Sequence, residues 1–255
     1  MRLSLFEFED QPWCPPVLRN AITGYLRIVV AMTRQVRPVV PALVELLRRS
    51  GETSILDLCS GSGSIACEVG QSLALRGAPA PITLSDLFPD EARLERLASE
   101  LPGVLRVHPA PLDATRVPPA MPGLRTMFNA FHHFDPPAAR EILRDAATAG
   151  RPIAIVEFVE RTPLTLLGVL VTPLLMLVVA PWLRPLRWQA LLLTYVIPIV
   201  PLVVFWDGLV SWLRVYSVRE LGALASEVVV PGYSWSAGRW RVGPVRVTYL
   251  LGYPA

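Results

Sequence analysis

Hydrophobic residues recur at helical spacing along the first fifty positions of the chain. Apolar side chains lie three or four positions apart between residues 15 and 50, and Pro38 and Pro41 interrupt them. Because proline breaks the interior of a helix, the pattern predicts two or three helices that end at Gly51. We assign residues 1–51 to an N-terminal helical cap.

Short apolar runs then alternate with amphipathic stretches up to about residue 160. The predicted strands cover residues 53–58, 81–86, 104–108, 125–129 and 152–157. The predicted helices between them cover residues 64–76, 89–101 and 136–149. Strands that alternate with helices favour a parallel sheet covered on both faces, so the sequence predicts an α/β fold with a doubly wound sheet.

Two long uncharged runs follow the last of these strands. Residues 164–183 and 188–206 contain 20 and 19 positions without a charge, and Arg184 and Arg187 are the charges between them. A helix of about 20 residues is long enough to cross the roughly 30 Å core of a bilayer. These runs define a hydrophobic insert at residues 161–206.

The α/β pattern resumes after the insert. Ser217 and Glu220 have the spacing of a capping box, which predicts that a helix begins there. Alternating residues then predict an antiparallel strand pair with its turn at residues 237–238. Residues 52–160 and 207–255 are therefore expected to form one domain that the insert interrupts.

Composition narrows the choice of function. Charged residues make up 18% of the 255, against about 25% in ordinary soluble proteins, and the basic ones are all arginine. The lack of lysine excludes enzymes that use a Schiff-base lysine or a P-loop lysine. The net charge of +3 is spread along the chain, so nucleic acid is not the expected partner.

The cysteines and histidines do not suggest a metal site. The three cysteines and three histidines lack the paired spacing of a structural zinc site or a disulfide framework. Acidic residues interrupt the apolar run at the N-terminus, so no secretory signal is expected. We expect no bound metal and a reducing cytoplasmic environment.

A glycine turn lies between the first predicted strand and the helix that follows it. Gly61 and Gly63 come shortly after Asp57, and a turn without side chains lets the backbone approach a ligand closely. Gly61, Gly63 and Ala66 also fit the G-x-G-x-x-A pattern of dinucleotide sites. A nicotinamide or flavin enzyme therefore remains an alternative.

Two acidic residues follow the next two strands. Asp86 ends the second strand, and Asp113 follows the third. The carboxyl ends of neighbouring strands in a doubly wound sheet meet at one crevice, so these carboxylates are expected to lie beside the glycine turn. There Asp86 is placed to accept hydrogen bonds from ribose hydroxyls, and Asp113 to accept one from the amine of an adenine.

Several segments together resemble the class I S-adenosylmethionine-dependent methyltransferases. They are residues 55–63 (ILDLCSGSG), Asp86, residues 112–114 (LDA) and residues 128–134 (FNAFHHF). The closing strand pair is also typical of that fold. The resemblance covers the α/β parts of the chain, and it implies a seven-stranded Rossmann-like sheet whose last strand is antiparallel. It also implies S-adenosyl-L-methionine (SAM) as the cofactor.

The resemblance also assigns roles to individual residues. The glycine turn would pack against the methionine moiety of SAM, with Asp57 bracing the turn, Asp86 on the ribose and Asp113 on the adenine. The cofactor-binding residues expected on this basis are Asp57, Cys59, Gly61, Gly63, Asp86, Leu87, Asp113, Ala114 and Asn129. Cys59 and Ser60 stand where Gly-Cys is commoner in the family.

The reaction needs a base only when the acceptor has a proton to lose, because methyl transfer from a sulfonium is a direct displacement. The candidates near the crevice are His132, His133, Glu157, Asp207 and Tyr216. Structural roles remain open for several of these residues. The histidines could cap a helix, Glu157 could bind the backbone, and Asp207 could pair with Arg214 on one helical face.

The insert follows the fifth strand, where the fold of this family places the acceptor entrance, so it is expected to cap the active site. It could span the bilayer as a hairpin, lie within one leaflet, or fold as a buried lid. Prolines interrupt both runs. Four tryptophans flank the runs, as aromatic residues do at the headgroup boundary of a membrane. They are Trp182, Trp188, Trp206 and Trp212. This pattern favours the single-leaflet arrangement.

The sequence therefore predicts a SAM-dependent methyltransferase at the cytoplasmic face of a membrane, such as the bacterial inner membrane. A hydrophobic cap implies a hydrophobic acceptor, either a small molecule or a lipid. Two alternatives stay open at this point. One is an NAD(P)-dependent membrane-associated oxidoreductase, and the other is a non-catalytic membrane-tethered binding protein on the same fold.

Overall fold

The computed structural model of the chain describes residues 2–3, 5–11, 13–183 and 186–255. These residues divide into two compact units. The α/β unit comprises Gln35–Phe158 and Tyr216–Ala255, and the helical unit comprises Met1–Arg34 and Val159–Val215. The sequence predicts divisions after residues 51, 160 and 206 instead, so the first predicted helix groups with the hydrophobic insert while the second groups with the sheet.

Ten α-helices and seven strands follow one another along the described residues. The helices are α1 (Pro16–Met32), α2 (Val39–Ser50), α3 (Ser64–Leu75), α4 (Glu91–Glu100), α5 (Pro136–Thr148), α6 (Pro163–Leu170), α7 (Thr172–Val179), α8 (Trp188–Tyr195), α9 (Ile199–Arg214) and α10 (Val218–Ser226). The strands are β1 (Ile55–Asp57), β2 (Ile82–Leu84), β3 (Leu105–Val107), β4 (Leu124–Phe128), β5 (Ile153–Glu157), β6 (Tyr233–Val242) and β7 (Val245–Pro254). Short 3-10 helices lie at Phe131–His133 and Ala180–Trp182.

The α/β unit is built on one sheet with the strand order β3-β2-β1-β4-β5-β7-β6. Strands β1 to β5 pair in parallel, and β7 runs antiparallel to both β5 and β6. Every residue of β1, β4 and β5 is buried, as expected for parallel strands. The predicted α/β fold with an antiparallel final strand is confirmed. The strand order reverses between β1 and β4, where open α/β sheets bind ligands.

Side-chain caps set the beginning of three helices in this unit. The carboxylates of Asp90 and Asp135 accept hydrogen bonds from the backbone N–H of Arg93 and Ala138, at the starts of α4 and α5. At α10 the Ser217 hydroxyl and the Glu220 carboxylate form the reciprocal capping box that the sequence predicts.

The turn predicted at residues 237–238 is wrong. Strand β6 continues through both residues, and the chain reverses at Gly243, whose φ is 57°. Gly238 lies opposite Tyr249 on β7, and a Cβ at Gly238 would lie within 2.6 Å of the ring carbon Cζ of Tyr249. Glycine here leaves room for the aromatic ring of Tyr249 on the neighbouring strand and does not mark a turn.

The helical unit packs its helices around α9, which contacts α1, α6, α7 and α8. Its core contains Met176, Ala180, Val200 and Val204, together with residues of α1. The two uncharged runs do not form two straight helices. Each is broken near a proline. The first break is at Val171, just before Pro173 in the first turn of α7, and the second is near Pro198, between α8 and α9.

These breaks bear on the predicted membrane helices. Among the described residues, no single helix has both the length and the apolar composition to cross a bilayer. Two pairs of helices reach this length and apolar composition only when the helices of each pair are taken together. The pairs are Pro163–Leu170 with Thr172–Trp182, bent by 53°, and Trp188–Tyr195 with Ile199–Arg214, bent by 83°. Arg184, which lies in the predicted turn between the two runs, is outside the described residues.

Candidate functional site

Asp57, at the end of β1, organises the glycine turn. Its carboxylate accepts hydrogen bonds from the hydroxyls of Ser60 and of Thr126 on β4, both at 2.7 Å. The Ser85 hydroxyl donates to the Asp57 carbonyl at 2.8 Å. Asp57 thereby joins the ends of β1, β2 and β4, which is the bracing role that the family resemblance implies.

Three residues of this turn adopt the left-handed backbone conformation. The φ angles are 56° at Cys59, 52° at Gly61 and 68° at Gly63. A Cβ on Gly63 would come within 2.8 Å of Leu97, so glycine allows α3 and α4 to pack closely. A Cβ on Gly61 would meet nothing within 4 Å, so this side of the turn is open to a ligand.

Asp86 and Asp113 lie beside the turn, as predicted. One oxygen of Asp86 accepts a 2.9 Å hydrogen bond from the Gly61 N–H, and its backbone carbonyl accepts one from the N–H of Leu112. Asp113 follows directly, and its carboxylate accepts hydrogen bonds from the N–H and the hydroxyl of Thr115. The carboxyl ends of β1, β2 and β3 therefore bring three acids to one crevice.

The electrostatic field of this crevice is negative. Burial raises the pKa of the Asp57 carboxyl to about 7, although hydrogen bonds from Thr126 and Ser60 oppose the shift. Burial also raises the pKa of the Cys59 thiol, and the charges of Asp86, Asp57 and Asp113 raise it further. Because all three acids act on one thiol, the crevice favours a cationic ligand over an anionic one.

The remaining predicted cofactor residues lie around the same edge of the sheet. Leu87, next to Asp86, is 45% exposed, whereas Ala114 is buried. Asn129 follows β4 with a φ of 53°, and its side-chain oxygen accepts a 3.3 Å hydrogen bond from the N–H of Phe158. Asn129 thus connects the ends of β4 and β5, while Leu87 presents an exposed apolar surface.

His132 and Glu157 form a buried pair at the ends of β4 and β5. The Glu157 carboxylate lies 2.8 Å from Nδ1 of His132 and also accepts a 3.1 Å hydrogen bond from the backbone N–H of His132. Both side chains are fully buried. The ring of His133 packs against that of His132, with their centroids 4.3 Å apart.

This geometry defines the chemistry that His132 can perform. A carboxylate at Nδ1 can only accept a hydrogen bond, so we assign the proton of the neutral imidazole to Nδ1. The Nε2 atom is then the nitrogen that can take up a proton. Glu157 orients the ring, which is the arrangement of a general base supported by a carboxylate.

The other two candidate bases have structural partners. The Tyr216 hydroxyl donates to the carbonyl of Phe134 at 3.0 Å, which holds the segment that carries the histidines. Asp207, on α9, accepts hydrogen bonds from the N–H groups of Phe8 and Glu9 at 2.7 and 3.1 Å. Burial raises the pKa of Asp207 to about 6. Asp207 therefore anchors the N-terminal segment within the helical unit.

Two residues that support the site are not among the sequence-based predictions. Ser60 and Thr126 supply the hydroxyl groups that bind the buried Asp57 carboxylate. Thr126 lies in the middle of β4, next to Arg125, and a polar residue inside a mainly apolar run was the signal available in the sequence. A polar side chain at a buried strand position requires a partner, and here the partner is Asp57.

No family model and no curated protein matches the sequence. Similar folds occur among solved structures. An O-methyltransferase family protein from Burkholderia thailandensis has a TM-score of 0.51 and 17% identity over 88% of this chain and 57% of its own. Human N-acetylserotonin methyltransferase, solved in complex with SAM, has a TM-score of 0.51 and 13% identity over 91% and 56%.

A third similar structure is that of an O-methyltransferase from Nostoc punctiforme whose function is itself only inferred. Its TM-score is 0.51, with 15% identity over 95% of this chain and 61% of its own. The chain therefore spans a little over half the length of these three proteins. These likenesses and the strand order found here support one conclusion: this chain has the Rossmann-like methyltransferase fold.

Proposed function

We propose that the chain catalyses SAM-dependent methylation of a hydroxyl group on a small hydrophobic acceptor that partitions into a membrane. The observation that carries this proposal is the joint placement of two groups at one edge of the sheet. The glycine turn with Asp57, Asp86 and Asp113 forms a cofactor crevice, and the His132–Glu157 pair lies at the ends of the adjacent strands β4 and β5.

The described residues fit SAM. The open side of Gly61 leaves room for close approach to the backbone, and the carboxylates of Asp86 and Asp113 are the acceptors that ribose hydroxyls and an adenine amine require. When bound, SAM supplies an electrophilic methyl group on a positively charged sulfonium. The carboxylates of Asp86 and Asp113 beside the turn favour such a cation.

His132 is the proposed general base. Nε2 of His132 would take the proton of the acceptor hydroxyl as its oxygen attacks the methyl group that bound SAM would supply, the carbon–sulfur bonding pair remaining on the sulfur. Glu157 stabilises the imidazolium that results, because its carboxylate lies 2.8 Å from Nδ1. General-base catalysis of this kind contributes about 10²–10⁴-fold to a rate.

The helical unit is proposed to lie in one leaflet of a membrane at the cytoplasmic face. Its large exposed apolar side chains include Leu164, Leu167, Leu170, Leu174, Val178, Trp182, Trp188, Val196, Ile197 and Leu202. Soluble monomers rarely expose contiguous apolar patches above a few hundred Å². Of the four flanking tryptophans, Trp182 and Trp188 are exposed, whereas the indoles of Trp206 and Trp212 donate to backbone carbonyls within the unit.

Titration calorimetry with SAM and with NADH tests the cofactor assignment. The wild-type chain is expected to bind SAM and not NADH, and Asp86→Ala is expected to weaken SAM binding about tenfold or more, because it removes a charged hydrogen-bond acceptor. Glu95→Gln, on the exposed surface of α4, is the matched control and should leave binding unchanged. Binding of NADH in place of SAM would reverse the assignment.

The two alternatives are less well supported. A dinucleotide carries a pyrophosphate, and the carboxylates of Asp86 and Asp113 beside the glycine turn would repel that anion. A non-catalytic binding protein has no need for a buried histidine oriented by a carboxylate, an arrangement that is costly to bury.

A further inference from the structure

The net positive charge of the chain belongs to the helical unit. This unit has eight arginines against five aspartates and glutamates, whereas the α/β unit has sixteen of each. The helical unit therefore carries the whole formal charge of +3. The unit that exposes most of the large apolar side chains is thus also the positively charged one.

Most of the acidic residues of the helical unit are withdrawn from its surface. Glu7, Glu160 and Asp207 are buried. Asp10 is exposed, but its carboxylate lies 3.0 Å from Nη1 of Arg214. Because these negative charges are held within the unit or paired, the arginines dominate the charge that its surface presents.

Three arginines of this unit lie at the surface without an acidic partner. Arg34 and Arg187 are exposed and Arg27 is half-exposed, and within the described part of the chain no carboxylate lies at ion-pair distance from them. Arg27 is on α1, and Arg34 lies two residues beyond its end. Arg187 immediately precedes α8, which packs against α1. The three guanidinium groups therefore belong to neighbouring elements of one unit.

Exposed apolar side chains accompany these arginines along the chain. Met32, two residues before Arg34, is 74% exposed, and Leu186 and Trp188, on either side of Arg187, are 46% and 69% exposed. Arginines among exposed aliphatic and aromatic side chains are typical of segments that lie at a membrane surface. A free anion would account for the charge but not for the apolar neighbours, and a second copy of the same positively charged unit would be repelled.

We propose that the helical unit binds anionic lipid membranes in preference to neutral ones, through attraction of Arg27, Arg34 and Arg187 to the lipid headgroups. The proposal rests on the membrane association proposed above and adds the class of lipid. One arginine near an anionic surface contributes about fivefold to binding, so three contribute up to about 100-fold. Salt weakens this attraction because the screening length falls from about 10 Å at 0.1 M to about 3 Å at 1 M.

Vesicle sedimentation tests the preference, with vesicles of phosphatidylcholine alone and of phosphatidylcholine mixed with phosphatidylglycerol. At low salt the wild-type chain should bind the mixed vesicles about tenfold more tightly or better, and about 1 M sodium chloride should remove most of the difference. The triple substitution Arg27→Gln, Arg34→Gln and Arg187→Gln should remove most of the preference as well. It should leave binding to phosphatidylcholine unchanged, which also shows that the variant is folded.

The matched control is the triple substitution Arg76→Gln, Arg96→Gln and Arg106→Gln, which removes three exposed arginines from the α/β unit. It lowers the total charge equally and should leave the preference in place. Equal losses for the two triple variants would overturn the proposal, and so would equal wild-type binding to both vesicle types. Binding to neither vesicle type would overturn the membrane association itself, and a dimer that forms without vesicles and no longer binds them would assign the apolar surface to a second copy.

Discussion

The α/β unit and the helical unit differ in how fully they bury their large hydrophobic side chains. Of the 25 large apolar side chains that are strongly exposed among the described residues, 21 belong to the helical unit and four to the α/β unit. The helical unit is also the smaller of the two. The sheet buries its apolar runs between helices, whereas the broken helices α6 to α9 leave one part of theirs uncovered.

Buried polar residues occur in both units but have different partners. The three acids of the crevice and the His132–Glu157 pair belong to the α/β unit, where hydrogen bonds between strand ends hold them. In the helical unit the buried carboxylate of Asp207 binds the N-terminal segment instead. In the proposed function the α/β unit carries out methyl transfer and the helical unit contacts the membrane, and the predictions below separate the two.

The largest expected effect is on the chemistry. His132→Ala should lower turnover by about 10²–10⁴-fold and leave SAM affinity and vesicle binding unchanged, because the proton acceptor is lost while the cofactor crevice stays intact. Glu157→Gln should lower turnover less and shift the pH–rate profile, since it removes the charge that supports the imidazolium. Both are measured by steady-state kinetics with calorimetry alongside.

His108→Gln serves as the control for the histidine substitutions. His108 follows β3, and its ring interacts with the carbonyl of Ala110, so its loss should not alter turnover. Unchanged turnover in both His132→Ala and Glu157→Gln would remove the pair from the mechanism.

The second expected effect is on the pH dependence of stability. The pKa of Asp57 is about 7 in the folded chain and about 4 in an unfolded one, so between these values the folded state holds a proton that the unfolded state releases. The contribution of Asp57 to stability is therefore present below about pH 4 and is lost as the pH rises to 7. Relative to Asp57→Asn, the free energy of unfolding of the wild type should fall by about 2–4 kcal/mol over this range.

Urea denaturation at several pH values measures this difference. The exposed substitution Glu95→Gln should leave the pH dependence of the wild type unchanged. If Asp57→Asn and the wild type lost stability with the same slope, the Asp57 carboxyl would not hold a proton in the folded state near pH 6.

The third expected effect is on membrane binding. Leu174 on α7 and Leu75 at the end of α3 are both exposed leucines, at 66% and 88%, but they lie in different units. Leu174→Glu should weaken binding to phosphatidylcholine vesicles by about 1.5–3 kcal/mol, the value of burying one such side chain. Leu75→Glu is the matched control and should have no effect. Equal effects, or none, would contradict the comparison between the units.

Most of the sheet could be predicted from the sequence because short, mainly apolar runs alternate with helical segments along this part of the chain. The observed strands β1 to β5 lie within the predicted segments or one residue outside them. The glycine turn and the neighbouring Asp86 and Asp113 could also be predicted from the sequence, because the strand order of a doubly wound sheet brings the carboxyl ends of its strands together. The prediction of a turn at residues 237–238 was wrong because the sequence pattern does not distinguish a glycine in a turn from a glycine that makes room for the ring of Tyr249.

The contacts between distant segments could not be predicted. Asp207 meets Phe8 and Glu9 about two hundred positions away, and no local spacing encodes such a pairing. The same is true of the hydrogen bond from Thr126 to Asp57, which depends on β1 and β4 being neighbours in the sheet. Local patterns define elements, whereas the partners of buried polar groups depend on how those elements come together.

Transfer of a labelled methyl group from SAM into the organic extract of membranes tests the central claim most directly. The account predicts that the wild-type chain transfers label into the lipid-soluble fraction, and that Asp86→Ala and His132→Ala each reduce the transfer, the first through SAM affinity and the second through turnover. A chain that binds SAM but transfers label into neither the lipid-soluble nor the water-soluble fraction of the extract would contradict it.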